Sequence, residues 1–218
     1  MNRIQFFTFS IFLLFISETP LLAQHNFGIK TGMNLSDIQV HSEKLLVEQE
    51  YEYVPLRLWH FGVVGVFDIS KRFAIQPELL FTQKGAQNAL RLITLPEQHW
   101  KYKMSYLSLP VMLQYKLGPI SIEAGPEFGY ILKNSVILDG EEVKDLLPAL
   151  DIFADKKFDL SANLGFKFTA KHFFTQVRWQ RSILSIADIS FSDANGDLIG
   201  YYNHYHSALQ VSFGYLIK

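Results

Sequence analysis

Eight stretches of this chain alternate apolar with polar residues at a period of two, and the connections between them run long, short, long, short, long, short, long. A half-buried strand needs only every second side chain to be apolar. An even set of such strands joined by tight turns at one end and long loops at the other reads as a single sheet wound up and down and closed on itself.

The stretches are Phe27 to Ser36, Leu58 to Ser70, Phe73 to Lys84, Lys103 to Lys116, Ile120 to Lys133, Phe158 to Thr169, Phe173 to Ser182 and His204 to Lys218. In the sixth, Phe158, Leu160, Ala162, Leu164, Phe166 and Phe168 alternate with Asp159, Ser161, Asn163, Gly165, Lys167 and Thr169. Ser70-Lys71-Arg72, Leu117-Gly118-Pro119 and Ala170-Lys171-His172 supply the tight turns. Asp139-Gly140 and Asn195-Gly196, inside two long connections, are hairpin signals, and an apolar segment around Leu146, Leu147, Leu150 and Phe153 predicts a short helix. Pro77, Pro110 and Pro126 fall inside strands of a sheet without an edge, where each removes a ladder donor; local bulges are the expected accommodation.

Composition then says which side of the sheet faces what. Hydrophobic residues make up 49% and aromatic residues 15% of the chain, yet beyond the N-terminal segment no apolar run reaches the ~18 residues of a membrane-spanning helix. A closed barrel whose alternate residues face lipid reconciles the two facts. Threading the strands in alternating directions gathers Phe27, Phe73, Tyr115, Phe168, Phe173 and Tyr215 near the short turns, and Trp59, Tyr130, Phe158, Trp179 and Tyr205 near the long loops. Two such girdles mark the two water interfaces of a membrane barrel. The predicted fold is an all-β, eight-stranded antiparallel up-and-down transmembrane β-barrel with four long extracellular loops and three short periplasmic turns. A soluble ligand-holding barrel would expose the outward bands to water.

Met1-Asn2-Arg3, the apolar run Ile4 to Ile16 and Leu21-Leu22-Ala23 read as a signal peptide over residues 1–23, leaving a barrel domain over 24–218 and predicting export to the outer membrane. The chain has no cysteine and a formal net charge of −1, so neither a disulfide framework nor a nucleic-acid footprint is indicated.

Lys30, Asp68, Glu78, Lys84, Glu123, Glu127, Asp159, Lys167 and Arg178 fall on the inward face. Eight strands enclose a space that side chains fill, so opposite charges there must pair. Lys30, Glu78, Glu123, Glu127, Lys167 and Arg178 are the expected interior ion pairs, with Glu123 beside Lys167, and Arg178 reaching Glu78 or Glu127. A structural plug of ion pairs is the expected filling, a gated, narrow ion path is the alternative, and a wide pore is not expected from the same geometry.

Signals for chemistry are weak. His204 and His206 share a strand face but lack a third metal ligand, and a polar rim pair is the plainer reading. Asp193-Ala194-Asn195-Gly196-Asp197 opens like a calcium loop, but Leu198 stands where glycine is needed and His204 where a bidentate glutamate is needed. A hydrolase could draw on Ser182, Ser207 and the histidines, but no G-x-S-x-G elbow supports a nucleophile. No enzyme activity, cofactor or metal is expected. Tyr51, Tyr53, Trp100, Tyr201 and Tyr202 enrich the loops in aromatic contact residues.

Gln76 to Phe81 (QPELLF), Tyr106 to Pro119 (YLSLPVMLQYKLGP), Gly125 to Leu132 (GPEFGYIL) and Gly28 to Ser36 (GIKTGMNLS) resemble the PorT-like outer-membrane β-barrel family of Bacteroidetes. The resemblance implies eight strands in a Gram-negative outer membrane with periplasmic termini, and strand prolines as a family habit. It is silent about activity. Three functional expectations follow: an integral barrel with a structural or interaction role; an accessory to a protein-secretion or gliding-type system, as the family's namesake is; and an outer-membrane lipid hydrolase. The expected partners are outer-membrane lipid and a protein at the extracellular loops or the periplasmic rim, with no nucleic acid.

Overall fold

The computed structural model describes residues 25–43, 53–90, 98–138, 140–142, 156–192, 195–196 and 198–217. The signal peptide, the helix expected around Leu146 and parts of the long loops lie outside these residues. Among the described residues there are ten strands: β1 His25–Glu43, β2 Tyr53–Asp68, β3 Phe73–Leu90, β4 Gln98–Leu117, β5 Ile120–Leu138, β6 Glu141–Glu142, β7 Phe158–Ala170, β8 Phe173–Ser182, β9 Ala187–Ser192 and β10 Leu198–Ile217. Eight of them form a ring in the order β1-β2-β3-β4-β5-β7-β8-β10. β10 pairs back onto β1 antiparallel from Phe27↔Ile217 to Glu43↔Tyr201, and so closes it. The two short strands are side hairpins, β6 on β5 and β9 on β10. Their turns are the two hairpin signals: Leu138 pairs with Glu141 across residue 140, where Gly140 has a φ of 98°, and Gly196 has a φ of 89° between Ser192 and Leu198. Glycine tolerates this left-handed backbone without the steric penalty of a Cβ.

Alternation decides which way every strand faces. In β7, Phe158, Leu164, Phe166 and Phe168 are exposed while Asp159, Ser161, Asn163 and Lys167 are buried; the same division holds for Ile29 and Met33 against Lys30 and Asn34 on β1, and for Val177 and Trp179 against Gln176, Arg178 and Gln180 on β8. The outside is a continuous apolar surface, far larger than a monomer tolerates in water. At its lower edge Phe73 meets Tyr115 and Phe173 meets Tyr215, each with ring centroids 5.2 Å apart, and Phe27 meets Phe67 at 5.8 Å. Near its upper edge Tyr130 meets Phe158 at 5.2 Å and Trp59 stacks on Phe61 at 5.3 Å. Phe168 and Trp179 are exposed, and Tyr205 is half-buried beside His41.

Two expectations need correction. Strands β1 to β5 and β10 extend further toward the long loops than the alternation suggested; β1 runs on to Glu43 and β10 begins at Leu198. Nor do the prolines form bulges. Pro77↔Val111 and Leu80↔Ser108 share one register, Pro110↔Glu127 continues unchanged to Leu113↔Ala124, and Pro126↔Ala162 sits in an unbroken β5–β7 ladder. In an antiparallel sheet each N–H points to one neighbour only, so a proline forfeits one bond and leaves the other ladder intact. The register shifts lie elsewhere, between Pro55 and His60 on β2, between Ser105 and Tyr106 on the β4–β5 ladder, and between Leu198 and Gly200 where β10 pairs with β9.

Close strand approach uses glycine instead. A Cβ at Gly62 would run into the Leu79 carbonyl oxygen and come within 2.8 Å of Leu80 Cα. Gly62→Val is therefore expected to lose about 1–3 kcal/mol of stability by forced displacement of packed backbone, read as a lower temperature at which the folded gel band converts to the unfolded one.

Candidate functional site

The barrel interior is the only place where the described residues concentrate charge out of water. Buried there are four acids, Glu78, Glu123, Glu127 and Asp159, and four bases, Lys30, Lys84, Lys167 and Arg178. They divide into two layers because the inward positions of different strands lie at different heights.

The layer nearer the short turns is built on Glu78 and Glu123. Arg178 Nη2 donates to Glu78 Oε1 at 2.8 Å and its Nε donates to Glu123 Oε1 at 3.0 Å. Lys30 Nζ donates to Glu78 Oε2 at 2.7 Å and to Gln176 Oε1 at 2.8 Å, and Gln176 Nε2 donates to both oxygens of Glu123. Gln76 Nε2 adds a bond to Glu78 at 2.6 Å. The layer nearer the long loops is built on Lys84, which donates to Asp159 Oδ2 at 2.9 Å and lies 3.1 Å from Glu127 Oε1. Ser161 and Ser182 also donate to Asp159, at 3.0 and 2.7 Å.

One expected contact is made and one is not. Glu123 and Lys167 are both buried, but Arg178 and Gln176 occupy the Glu123 carboxylate, and Lys167 Nζ turns to Gln76 Oε1 at 2.5 Å and the Phe174 ring at 4.4 Å. Arg178 takes Glu78, the first of its two expected partners, and adds Glu123 in place of Glu127. Its guanidinium presents Nη1 and Nη2 to Glu78 and Nε to Glu123, and so spans two carboxylates on different strands. Asp68 lies at the mouth, paired with Lys116 at 2.5 Å.

Between the layers runs a belt of buried side chains with unmet hydrogen-bonding capacity. Among the described residues both oxygens of Glu127, both polar atoms of the Asn163 amide, Gln180 Nε2, Gln210 Oε1, Ser108 Oγ and Thr82 Oγ1 have no hydrogen-bond partner. Such groups are ordinarily satisfied by ordered water. Since Lys84 keeps its shorter bond to Asp159 when its 3.1 Å contact with Glu127 loses the charge, Glu127→Gln is expected to stay within about 1 kcal/mol of the parent, measured by urea unfolding of the barrel in lipid vesicles.

Apolar side chains close the interior at both ends. Ile38, Ala86, Tyr102, Met104, Val136, Ile186 and Ala187 pack together toward the long loops, and Val64, Val66, Ala74, Phe174 and Leu216 toward the short turns.

His204 and His206 are not at the rim. β10 begins six residues before His204, so both side chains are buried, with His206 Nε2 2.9 Å from Tyr106 Oη. No metal-binding group of His, Cys, Asp or Glu occurs among the described residues. Residues 193, 194 and 197 of the calcium-like run lie outside them. Ser182 Oγ bonds Asp159 rather than a histidine. A serine–histidine–amide relay does exist, unforeseen from sequence: His60 contacts Ser212 Oγ at 2.9 Å and Asn34 Oδ1 at 2.7 Å. All three residues are at most 1% exposed, and a nucleophile no substrate can reach serves packing. Even spacing on β1, β2 and β10 put these three on the inward face; only the register showed that they meet.

The sealed interior, oily exterior and alternating loop lengths agree with an independent comparison. The family model described as "Outer membrane protein beta-barrel domain" matches residues 20–188. The chain belongs to the outer membrane protein beta-barrel domain family. The match to this outer-membrane family stops within β9, and β10, beyond it, supplies the strand that closes the ring. Among solved structures, the chain is similar to Neisserial surface protein A, with a TM-score of 0.50 at 9% identity over 87% of this chain and 96% of that one. It is also similar to the attachment invasion locus protein Ail of Yersinia pestis in complex with the heparin analogue sucrose octasulfate, with a TM-score of 0.46 at 12% identity over 88% and 99%. A third is outer membrane protein AlkL in lipid bilayers, with a TM-score of 0.43 at 11% identity over 93% and 94%. At such identities the likeness concerns the fold. No curated protein sequence matches.

Proposed function

We propose that this outer-membrane barrel has a structural or interaction role, with outer-membrane lipid around its apolar band and a protein partner at the extracellular loops or the periplasmic rim. The supporting observation is the filled interior: two layers of paired ions, a polar belt and apolar closures leave the barrel no wide water path. Specific contact therefore falls to the ends of the barrel, where tyrosines such as Tyr201 and Tyr53 are partly accessible. In the same reading residues 1–23 are removed on export, and the role is non-enzymatic.

Planar-bilayer recording tests the absence of a wide pore. Reconstituted barrel is expected to leave the membrane silent on the scale of a porin; steady porin-sized conductance would sink the proposal. Co-purification with the outer-membrane fraction, together with faster gel migration before boiling than after, is the expected placement result.

A second reading, an accessory role in a secretion or gliding-type system in a PorT-like barrel of Bacteroidetes, is supported by the strand segments Gln76 to Phe81 and Tyr106 to Pro119. Its test is deletion of the gene and comparison of the secreted proteins; an unchanged set counts against it. The lipid-hydrolase alternative has no support in the geometry of Ser182 or of the sealed Ser212–His60 pair.

A further inference from the structure

We propose that the short-turn mouth of the barrel is a binding site for a small phosphate-type oxyanion, with Lys167 at its floor and Lys171 at its lip. The mouth is a cavity of about 230 Å³ whose polar lining includes Asn26, Asp68, Gln114, Lys116, Lys167 and Lys171. That volume admits a phosphate-sized ion with a few waters.

Charge decides the sign of the occupant. Lys116 and Asp68 pair with each other at 2.5 Å and cancel. Asp68 is the sole acid in the lining, so Lys167 and Lys171 leave two uncompensated positive charges. The buried layer behind the cavity does not absorb them. It holds Lys30, Lys167 and Arg178 against Glu78 and Glu123, one cation in excess, and Lys30 and Arg178 already take both carboxylates. Lys167 is the cation left over: it is 2% exposed and has no carboxylate within ion-pair distance among the described residues. Its Nζ makes one hydrogen bond, to Gln76 Oε1, and rests over the Phe174 ring. An ammonium has three donors, and a buried cation with no counter-ion is costly.

The oxyanion would thus meet two ammonium groups, with the side chains of Asn26 and Gln114 in the same lining. Its phosphate could be free in the periplasm or belong to a lipid headgroup reaching in from the inner leaflet.

The test is calorimetric titration of inorganic phosphate into the full barrel in a phosphate-free detergent, with sodium chloride at equal ionic strength as control. Saturable binding by the parent, weakened roughly tenfold to a hundredfold in Lys167→Met and roughly two- to fivefold in Lys171→Gln, is the expected result. Absence of saturable binding in the parent, or equal binding by Lys167→Met, overturns the proposal. Should Lys167→Met fail to refold, the Gln114 side-chain amide resonance of the parent carries the test: a saturable shift with phosphate but not chloride supports the site, and no shift overturns it. A parallel titration with short-chain phosphatidylglycerol separates the sources, tighter binding than inorganic phosphate assigning the site to headgroups and weaker binding assigning it to the free ion.

Discussion

Replacing Arg178 by methionine is expected to remove about 3–5 kcal/mol from the stability of the barrel, the range found when one partner of a buried ion pair is deleted. Arg178 is 1% exposed and bridges Glu78 on β3 and Glu123 on β5 from its place on β8. Without it Glu78 keeps Lys30 and Gln76, but Glu123 keeps only the neutral amides of Gln176 and Gln114. The loss therefore falls mainly on Glu123. Adding Glu123→Gln to Arg178→Met is expected to recover part of the stability, because it removes the stranded charge. Urea unfolding in lipid vesicles measures both. An Arg178→Met barrel as stable as the parent would show that the layer is not held by this guanidinium, and a double variant weaker than the single one would contradict the pairing.

Leu164→Arg is the second large effect, and it probes the outside rather than the inside. Leu164 is 52% exposed and lies on β7 between Phe158 and Phe168, which belong to the two girdles. An arginine at mid-depth on the lipid face costs roughly 2–4 kcal/mol, falling to roughly 0–1 near the interfaces. The expected result is a clear loss for Leu164→Arg and a small one for Phe158→Arg at the long-loop end of the strand, both measured by unfolding from vesicles. Equal losses at the two depths would mean that the apolar band does not face hydrocarbon.

How much of this was legible depends on whether a property lives in one strand or between strands. The facing of Phe158, Leu160, Asp159 and Lys167 follows from a period of two, which any strand imposes on its own side chains. Ring closure follows from the loop rhythm. Which inward residues meet does not, because it depends on the stagger accumulated around eight ladders. Glu123 and Lys167 stand at similar sequence distances from their turns, yet Gln176 and Arg178 reach the carboxylate first. Lys84 with Asp159, and His60 with Asn34 and Ser212, were hidden for the same reason. Strand ends were underestimated where alternation weakens: Gln83, Lys84, Gly85 and Ala86 are buried in succession although β3 continues through them. The apolar closure at Met104 and Tyr106 was readable in principle, since both occupy inward positions of β4, but it competed with the expectation that a barrel lining is polar.

The bond between Lys30 on β1 and Gln176 on β8 joins residues 146 positions apart, and Arg178, also on β8, ties it to Glu78 and Glu123 on two further strands. Lys30 can meet Glu78, and Arg178 can meet Glu123, within runs of neighbouring strands, but the bonds from Arg178 to Glu78 and from Lys30 to Gln176 need the sheet to curl until β8 faces β1 and β3. During biogenesis a half-zipped sheet would therefore present incompletely bonded ions to the bilayer core, and completion of the cylinder and entry into the membrane should advance as one concerted event.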